Sequence, residues 1–230
     1  MIINKKIIEA KFLKRPNRFQ AYVDINGKIE MIHVPNTGRC KEILIPGCTV
    51  ILRKEDNPSR KTKYDLIAAY KGNMLINIDS QIPNKVVKEA LNNGKIQSLK
   101  MFNNIKTEKT FGNSRFDFKL EDMQSNEYYL EVKGVTFEKD KIAKFPDAPT
   151  ERGTKHLLEL IEAKKQNKGA GVLFLIQFDG AKVFSPYDDM DKNFGAALRL
   201  AYKNGVDILA YDCLVDKNYI ELKDKIEIKL

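Results

Sequence analysis

Two stretches of this sequence place carboxylates where a hydrated cation could be held. In Ser114-Arg115-Phe116-Asp117-Phe118-Lys119-Leu120 apolar and polar residues alternate, so an extended chain shows Phe116, Phe118 and Leu120 on one face and Asp117 on the other. In Leu130-Glu131-Val132-Lys133 the same period turns Leu130 and Val132 inward and leaves Glu131 and Lys133 together. Paired as a hairpin, the two strands bring Asp117 and Glu131 to one side. Two carboxylates, with the Val132 carbonyl as a further oxygen, suit Mg²⁺ or Mn²⁺. Such an ion polarises a phosphodiester and acidifies a bound water, and Lys133 can orient that water or balance developing charge. Asp117, Glu131 and Lys133 are therefore the candidate catalytic set, with Asp117 and Glu131 as its metal ligands.

Glu-x-Lys by itself has little specificity here. It recurs as Glu9-Ala10-Lys11, Glu162-Ala163-Lys164, Glu221-Leu222-Lys223 and Glu227-Ile228-Lys229, and Asp212 precedes Glu227 much as Asp117 precedes Glu131. Context separates them, because only Glu131 lies on the second arm of a strand meander that a helix and a buried strand follow. A structural salt-bridge network remains the competing reading of the same three residues. Glu108, on the strand expected beside Asp117, is the preferred third metal ligand over Glu89 on the preceding helix. Gln177, at the end of an apolar run, is placed to meet DNA or the attacking water, and equally to make a capping hydrogen bond.

The segment from Phe145-Pro146-Asp147-Ala148-Pro149 leads into a helix that Thr150 can cap, with Arg152, Lys155 and His156 in its first turns. Cations near a positive helix end are unfavourable unless an anion sits there, which suggests a phosphate seat. The alternative is a polar helix start with a satisfied histidine.

The elements that must position these residues fall into two groups, expected as domains 1–82 and 83–230. Residues 1–82 read as short strands. Asn26-Gly27 between residues 21–25 and 28–33 is a strong hairpin signal, Pro46-Gly47 opens a run through Leu52, and Lys71-Gly72-Asn73 joins residues 64–70 to 74–78. A small barrel or sandwich follows, and an OB-like barrel fits the size. From Pro83 the period changes. Val86, Val87, Ala90 and Leu91 share a helical face, with Asn84 as a candidate cap. Strands over 108–112, 114–120 and 128–135, a helix over 152–165, a buried strand over 172–176, a helix from Asp191 and a closing strand over 206–210 complete an α/β (α+β) mixed sheet flanked by helices.

In the first domain, Arg15-Pro16-Asn17-Arg18-Phe19 and His33-Val34-Pro35-Asn36-Thr37-Gly38-Arg39 gather cations, amides and an aromatic ring in loop-like sequence. Arg15, Arg18, Phe19, Asn36 and Arg39 are candidates for tracking a nucleic-acid backbone, as are Arg115, Arg152, Lys155 and His156 in the second. The formal charge of +9, from 40 basic against 31 acidic residues, favours a polyanionic partner. No apolar run reaches the roughly 20 residues that span a bilayer, and the N-terminus has no secretory pattern. Cys40, Cys48 and Cys213 match no metal or redox motif and read as reduced thiols of a cytoplasmic protein.

The sequence also resembles a known family over nearly its whole length and in one collinear order. Asn17-Arg18-Phe19, Pro35-Asn36-Thr37-Gly38-Arg39, Pro46-Gly47, Gly112 through Phe118, Glu131-Val132-Lys133, Phe145-Pro146-Asp147-Ala148 and Arg152-Gly153-Thr154-Lys155-His156-Leu157 are similar to the SfsA family, sugar fermentation stimulation protein A. That resemblance implies an N-terminal OB-like domain and a C-terminal domain like the PD-(D/E)XK nucleases. It implies DNA binding without sequence preference and a link to sugar (maltose) metabolism. On that template Asp117, Glu131 and Lys133 fall on the nuclease triad and Gln177 on the polar residue of the later strand. Pro149 stands where an aliphatic residue is usual, and Phe178 where a basic residue is common, which weakens a DNA contact there. A Mg²⁺- or Mn²⁺-dependent nuclease, a non-catalytic DNA-binding regulator on a nuclease scaffold, and an RNA-binding protein are the readings carried forward. A homodimer would suit cutting both strands.

Overall fold

A computed structural model describes residues 1–230. After a first strand, β1 (Ile7–Lys14), the dipeptide Asn26-Gly27 takes positive φ at both positions, 53° and 86°, and turns β2 (Gln20–Ile25) into β3 (Lys28–His33). β1 pairs with β2 on one side and with β4 (Thr49–Lys54) on the other, and β4 pairs with β5 (Tyr64–Lys71). A parallel bridge between His33 and Asp65 joins β3 to β5 and closes the ring β1-β2-β3-β5-β4. This is a five-stranded OB-like barrel, in which closure removes the unpaired edges that an open sheet would expose. The short β6 (Met74–Asn77) folds back on β5 and delivers the chain to the second half.

Pro83 falls in the first turn of α1 (Ile82–Asn92), whose buried residues include Val86, Val87, Ala90 and Leu91. The position before the helix, Gln81, is the N-cap and makes no side-chain cap bond, so Asn84 is not the cap expected of it. A meander follows: β7 (Asn104–Phe111), β8 (Ser114–Glu121) and β9 (Glu127–Val135). β7 starts four residues before the expected strand. Next come β10 (Phe137–Lys139), β11 (Ile142–Phe145), α2 (Glu151–Lys165), β12 (Gly169–Ile176), β13 (Val183–Pro186) and α3 (Lys192–Lys203). The chain does not close at residue 210. β14 (Asp207–Asp216) runs on and is followed by β15 (Tyr219–Lys225) and β16 (Glu227–Ile228).

The main sheet has the order β15-β14-β12-β9-β8-β7. Its meander is antiparallel, β9, β12 and β14 are parallel, and β15 returns antiparallel, which gives the mixed sheet expected. β12 is buried on both faces. Val172, Phe174 and Ile176 join the core with Leu160 of α2 and Phe194 of α3, while Leu173 and Leu175 pack with Val87 and Leu91 of α1. A small sheet, β10-β11-β13-β16, covers one end. No helix is long and apolar enough to cross a membrane.

The two halves share one core. Val23 and Ile76 of the barrel belong to the same buried cluster as Leu160 and Phe174. At the joint, Asn77 N donates to the Gln177 carbonyl at 2.9 Å, and Gln177 Nε2 donates to Asn77 Oδ1 at 3.0 Å. Ile2 also bridges Tyr219, so the residues ahead of β1 lie along the edge of the main sheet.

Candidate active site

β8 and β9 are paired up to Phe118–Leu130 and then part. The next register position holds Asp117 and Glu131. There the Val132 N–H, which would otherwise lack a ladder partner, donates to Asp117 Oδ2 at 2.8 Å. The splay thus turns a side chain into a substitute for the sheet next to Glu131. Asp117 Oδ1 accepts from Asn84 Nδ2 at 2.7 Å, so α1 supports the carboxylate from the other side.

Glu131 is 4% exposed. Its Oε1 accepts from Lys133 Nζ at 2.6 Å and from His156 Nδ1. Arg152 Nε donates to His156 Nε2 at 3.3 Å, which leaves the ring proton on Nδ1, facing Glu131. Glu131 Oε2 is buried with no hydrogen-bond partner. A buried carboxylate oxygen without a donor is costly unless a cation or water completes it.

The two carboxyls are pushed apart in acidity. Burial raises Asp117 and the nearby charge of Glu131 adds to this, with the Val132 N–H, Asn84 and Lys133 offsetting only part. Burial would raise Glu131 as well, but the hydrogen bond from His156 and the charge and hydrogen bond of Lys133 outweigh it and hold Glu131 below its ordinary range. The oxygens that a cation could meet here are Oε2 of Glu131, which has no donor, and the Asp117 carboxylate, whose oxygens also accept from Asn84 and Val132. No three His, Cys, Asp or Glu side chains converge in metal-holding geometry. A cation here would keep several waters, as Mg²⁺ commonly does.

Glu108 does not join. It stands between the pairs Thr107–Phe118 and Lys109–Phe116, opposite Asp117 in register, but its backbone is left-handed with φ 52°. Its side chain is two-thirds exposed (67%), with Arg115 Nη1 at 3.9 Å. Glu89 is exposed at the far end of α1, 3.2 Å from the Met1 amino group. The imitation of the motif also separates: Asp212 accepts from the backbone N–H groups of Gly180 and Asp224, whereas Glu227 is exposed on the small sheet.

Gln177 is buried, and its amide donates to Asn77 Oδ1 and, at 3.4 Å, to the Asp79 carbonyl. Its place is the joint between barrel and sheet, and Gly134 packs directly against its Oε1. Thr150 caps α2 as expected, accepting from Gly153 N at 3.0 Å. The expected phosphate seat on that helix is not assembled. His156 turns inward to Glu131, Arg152 lies against His156, and Lys155 Nζ donates to the Asn113 carbonyl at 3.0 Å. Sequence reasoning missed His156 and Asn84 as neighbours of the carboxylates. His156 precedes Leu160 and Ala163 at helical spacing on the buried face, and that signal could have found it.

In the barrel, Arg15 is spent on the fold. Its guanidinium donates to the carbonyls of Arg18, Asn36, Gly38 and Arg39 at 2.6 to 3.0 Å. Asn36 is likewise internal, donating to the Ile78 carbonyl and accepting from Gly38 N. Arg18, Phe19 and Arg39 are exposed.

Comparison with known proteins gives one consistent answer. A family model described as "Sugar fermentation stimulation protein RE domain" matches residues 81–219, and one described as "SfsA N-terminal OB domain" matches residues 13–78. A sugar fermentation stimulation protein homolog of Clostridium botulinum (strain Hall) is 69% identical over 230 residues, covering 100% of both chains. One from Clostridium novyi (strain NT) is 66% identical over 224 residues, covering 97% of this chain and 98% of the other. The solved structure of Pyrococcus furiosus SfsA in complex with Ca²⁺ superposes with a TM-score of 0.90 at 27% identity, covering 100% of both chains.

Proposed function

The chain belongs to the sugar fermentation stimulation protein (SfsA) family, and from that premise we propose that it binds DNA without sequence preference and cleaves phosphodiesters with Mg²⁺ or Mn²⁺. The observation that carries this reading is the pairing of Asp117 with a buried Glu131 whose Oε2 has no donor. A divalent cation bound there would polarise the phosphodiester and supply hydroxide at neutral pH. Asp117 and Glu131 would hold it, Glu131 through the Oε2 that has no donor. Asn84 and the Val132 N–H fix the Asp117 carboxylate, and His156 fixes Glu131. Lys133, charged and next to the same carboxylate, can turn toward a non-bridging phosphate oxygen as negative charge grows there. The relative from Pyrococcus furiosus was solved with Ca²⁺, a cation of the same hard, oxygen-seeking class.

The excess positive charge supports a polyanionic substrate, and the exposed Arg18, Phe19, Arg39 and Arg115 offer phosphate and stacking contacts. Incubation of the protein with supercoiled plasmid and Mn²⁺ tests the reading directly. Nicking is expected, and a Glu131→Ala/Lys133→Ala variant should be inactive. Equal background nicking by both proteins removes the enzyme claim.

A second reading, a non-catalytic DNA-binding regulator connected with sugar metabolism, is favoured by one observation. Lys133 and His156 already saturate Oε1 of Glu131, and two carboxylates alone make a sparse site. Calorimetric titration with Mn²⁺ separates the two, since only the nuclease requires binding that Asp117→Asn abolishes.

A further inference from the structure

The loop between β1 and β2 and the loop after β3 flank an open, shallow cavity of about 410 Å³ on the barrel. Its apolar wall is Phe12, Leu44 and Pro46, and its charged rim is Arg18, Arg39 and Lys41, with no acidic residue lining it. The rim cations make no ion pair within the protein, unlike Arg53 and Lys119, which face carboxylates. The rim is also held in place. Arg15 binds the backbone carbonyls of both Arg18 and Arg39, so one guanidinium ties the two loops together and sets where those side chains start. Gly38 makes a close approach that a side chain would block, since an added Cβ would fall 2.6 Å from Asp147 Oδ2 and 2.9 Å from Asn36 Oδ1. Three convergent, unpaired cations beside an apolar wall fit a ligand that is anionic at one end and flat and apolar at the other. A cavity of this size suits a ligand no larger than one nucleotide unit.

We infer that this cavity receives one unpaired nucleotide of a single-stranded nucleic acid, its phosphate on Arg18, Arg39 and Lys41 and its sugar and base against Phe12, Leu44 and Pro46. The inference rests on the nucleic-acid reading above and narrows it to unpaired strands, because a base held in a duplex cannot enter the cavity. Phe19, exposed and next in sequence to Arg18, offers a surface on which a neighbouring base can stack.

The test is binding of fluorescein-labelled (dT)12 and of a labelled duplex, measured by anisotropy on the full chain in EDTA so that nothing is cut. In the Arg18→Gln/Arg39→Gln variant the single strand should bind at least tenfold more weakly, and the duplex, which loses only general phosphate contacts, should weaken by at least threefold less than the single strand does. The salt dependence for the single strand should flatten, by about 0.7 in log–log slope for each phosphate that is no longer neutralised. Both side chains are exposed and unpaired, so the variant should melt like the wild type. Free dTMP should displace (dT)12 at lower concentration than inorganic phosphate does. Unchanged binding of (dT)12, an equal weakening on single strand and duplex, or equal displacement by phosphate would each overturn the inference. Plasmid nicking that persists alongside any of these results leaves the proposed nuclease standing. Absence of binding to every DNA removes both.

Discussion

The imidazole of His156 donates through Nδ1 to Oε1 of Glu131, while its other nitrogen accepts from Arg152. This joins the buried face of α2 to the carboxylate on β9 and leaves Oε2 as the free oxygen. Replacing His156 by Ala would leave Lys133 as the sole anchor of Glu131 and empty a buried position. We expect Mn²⁺ affinity to fall by roughly 10- to 100-fold, the usual cost of losing an outer partner of a metal ligand. Calorimetry on His156→Ala checks this, and wild-type affinity would assign the histidine to packing alone.

Asp117 is held above its ordinary range by burial and by Glu131, so its charged form opposes folding at neutral pH. In Asp117→Asn the new amide oxygen can keep the Val132 N–H, and the exposed Asn84 can flip its own amide to accept. The variant should therefore be more stable than the wild type by on the order of 1 kcal/mol, a rise in Tm of roughly 2–4 °C for a chain of this size. It should bind no Mn²⁺. A variant that melts below the wild type at neutral pH contradicts the argument.

The same linkage has a pH signature. A carboxyl whose folded pKa is raised takes up a proton in the native state before the unfolded chain does, so its penalty fades as pH falls through that raised range. The advantage of Asp117→Asn should shrink over that interval. Glu131 acts in the opposite sense: its stabilisation persists at higher pH and is lost only below the usual carboxylate range, as pH falls through its depressed folded pKa. Mn²⁺ affinity of the wild type should weaken as protons compete for Asp117. Denaturant melts and metal titrations from neutral to mildly acidic pH measure both trends, and a constant difference between the two proteins would refute the Asp117 shift.

How much of this was legible in the sequence depended on whether the signal was local. The Asn26-Gly27 turn, the one-sided face of α1 and the doubly buried β12 are set by short-range patterns, and they were readable. So was the juxtaposition of positions 117 and 131, because strand alternation and a meander suffice for it. The parting of β8 from β9 was not, since it depends on Asp117 taking the Val132 N–H in place of a strand. Asn84 looked like a cap because its type and position fit one, but Gln81 starts the helix and Asn84 turns to Asp117. Arg15 looked like a phosphate contact. Four carbonyls from two loops claim it, and loops distant in sequence leave no local trace of that. The strands of the small sheet, two to four residues each, are too short for any period to show.

Arg53 links the barrel to the start of α1. Its guanidinium contacts Glu55, Asp65 and Asp79, and Asp79 Oδ1 in turn accepts from Gln81 N at 2.9 Å. Burial raises Asp79, and Arg53 opposes that shift only in part. In Arg53→Met, Asp79 keeps only its backbone partner, and the protein should be destabilised by about 3 kcal/mol, the low end for a buried carboxylate left unpaired. Urea unfolding measures it. The destabilisation should lessen as acid protonates Asp79, and a value independent of pH would point to packing instead of charge.

Gly134 lies one residue beyond Lys133, where α1, β9 and the end of β12 meet. A Cβ at this position would fall 2.8 Å from Pro83 Cγ and press on Oε1 of Gln177. Neither neighbour gives way easily, because the proline ring is rigid in the first turn of α1 and the Gln177 amide is bound to Asn77 and Asp79. Relief therefore requires α1 to move outward, which takes Asn84 away from Asp117. Gly134→Ala should cost about 1–3 kcal/mol as an overpacked position. Because the displaced helix also carries the support of a proposed ligand, Mn²⁺ affinity should drop with stability. Gly→Ala usually stabilises an ordinary strand, since glycine loses the most freedom on folding. A Gly134→Ala protein that melts at or above the wild-type temperature would show that α1 does not press on the site.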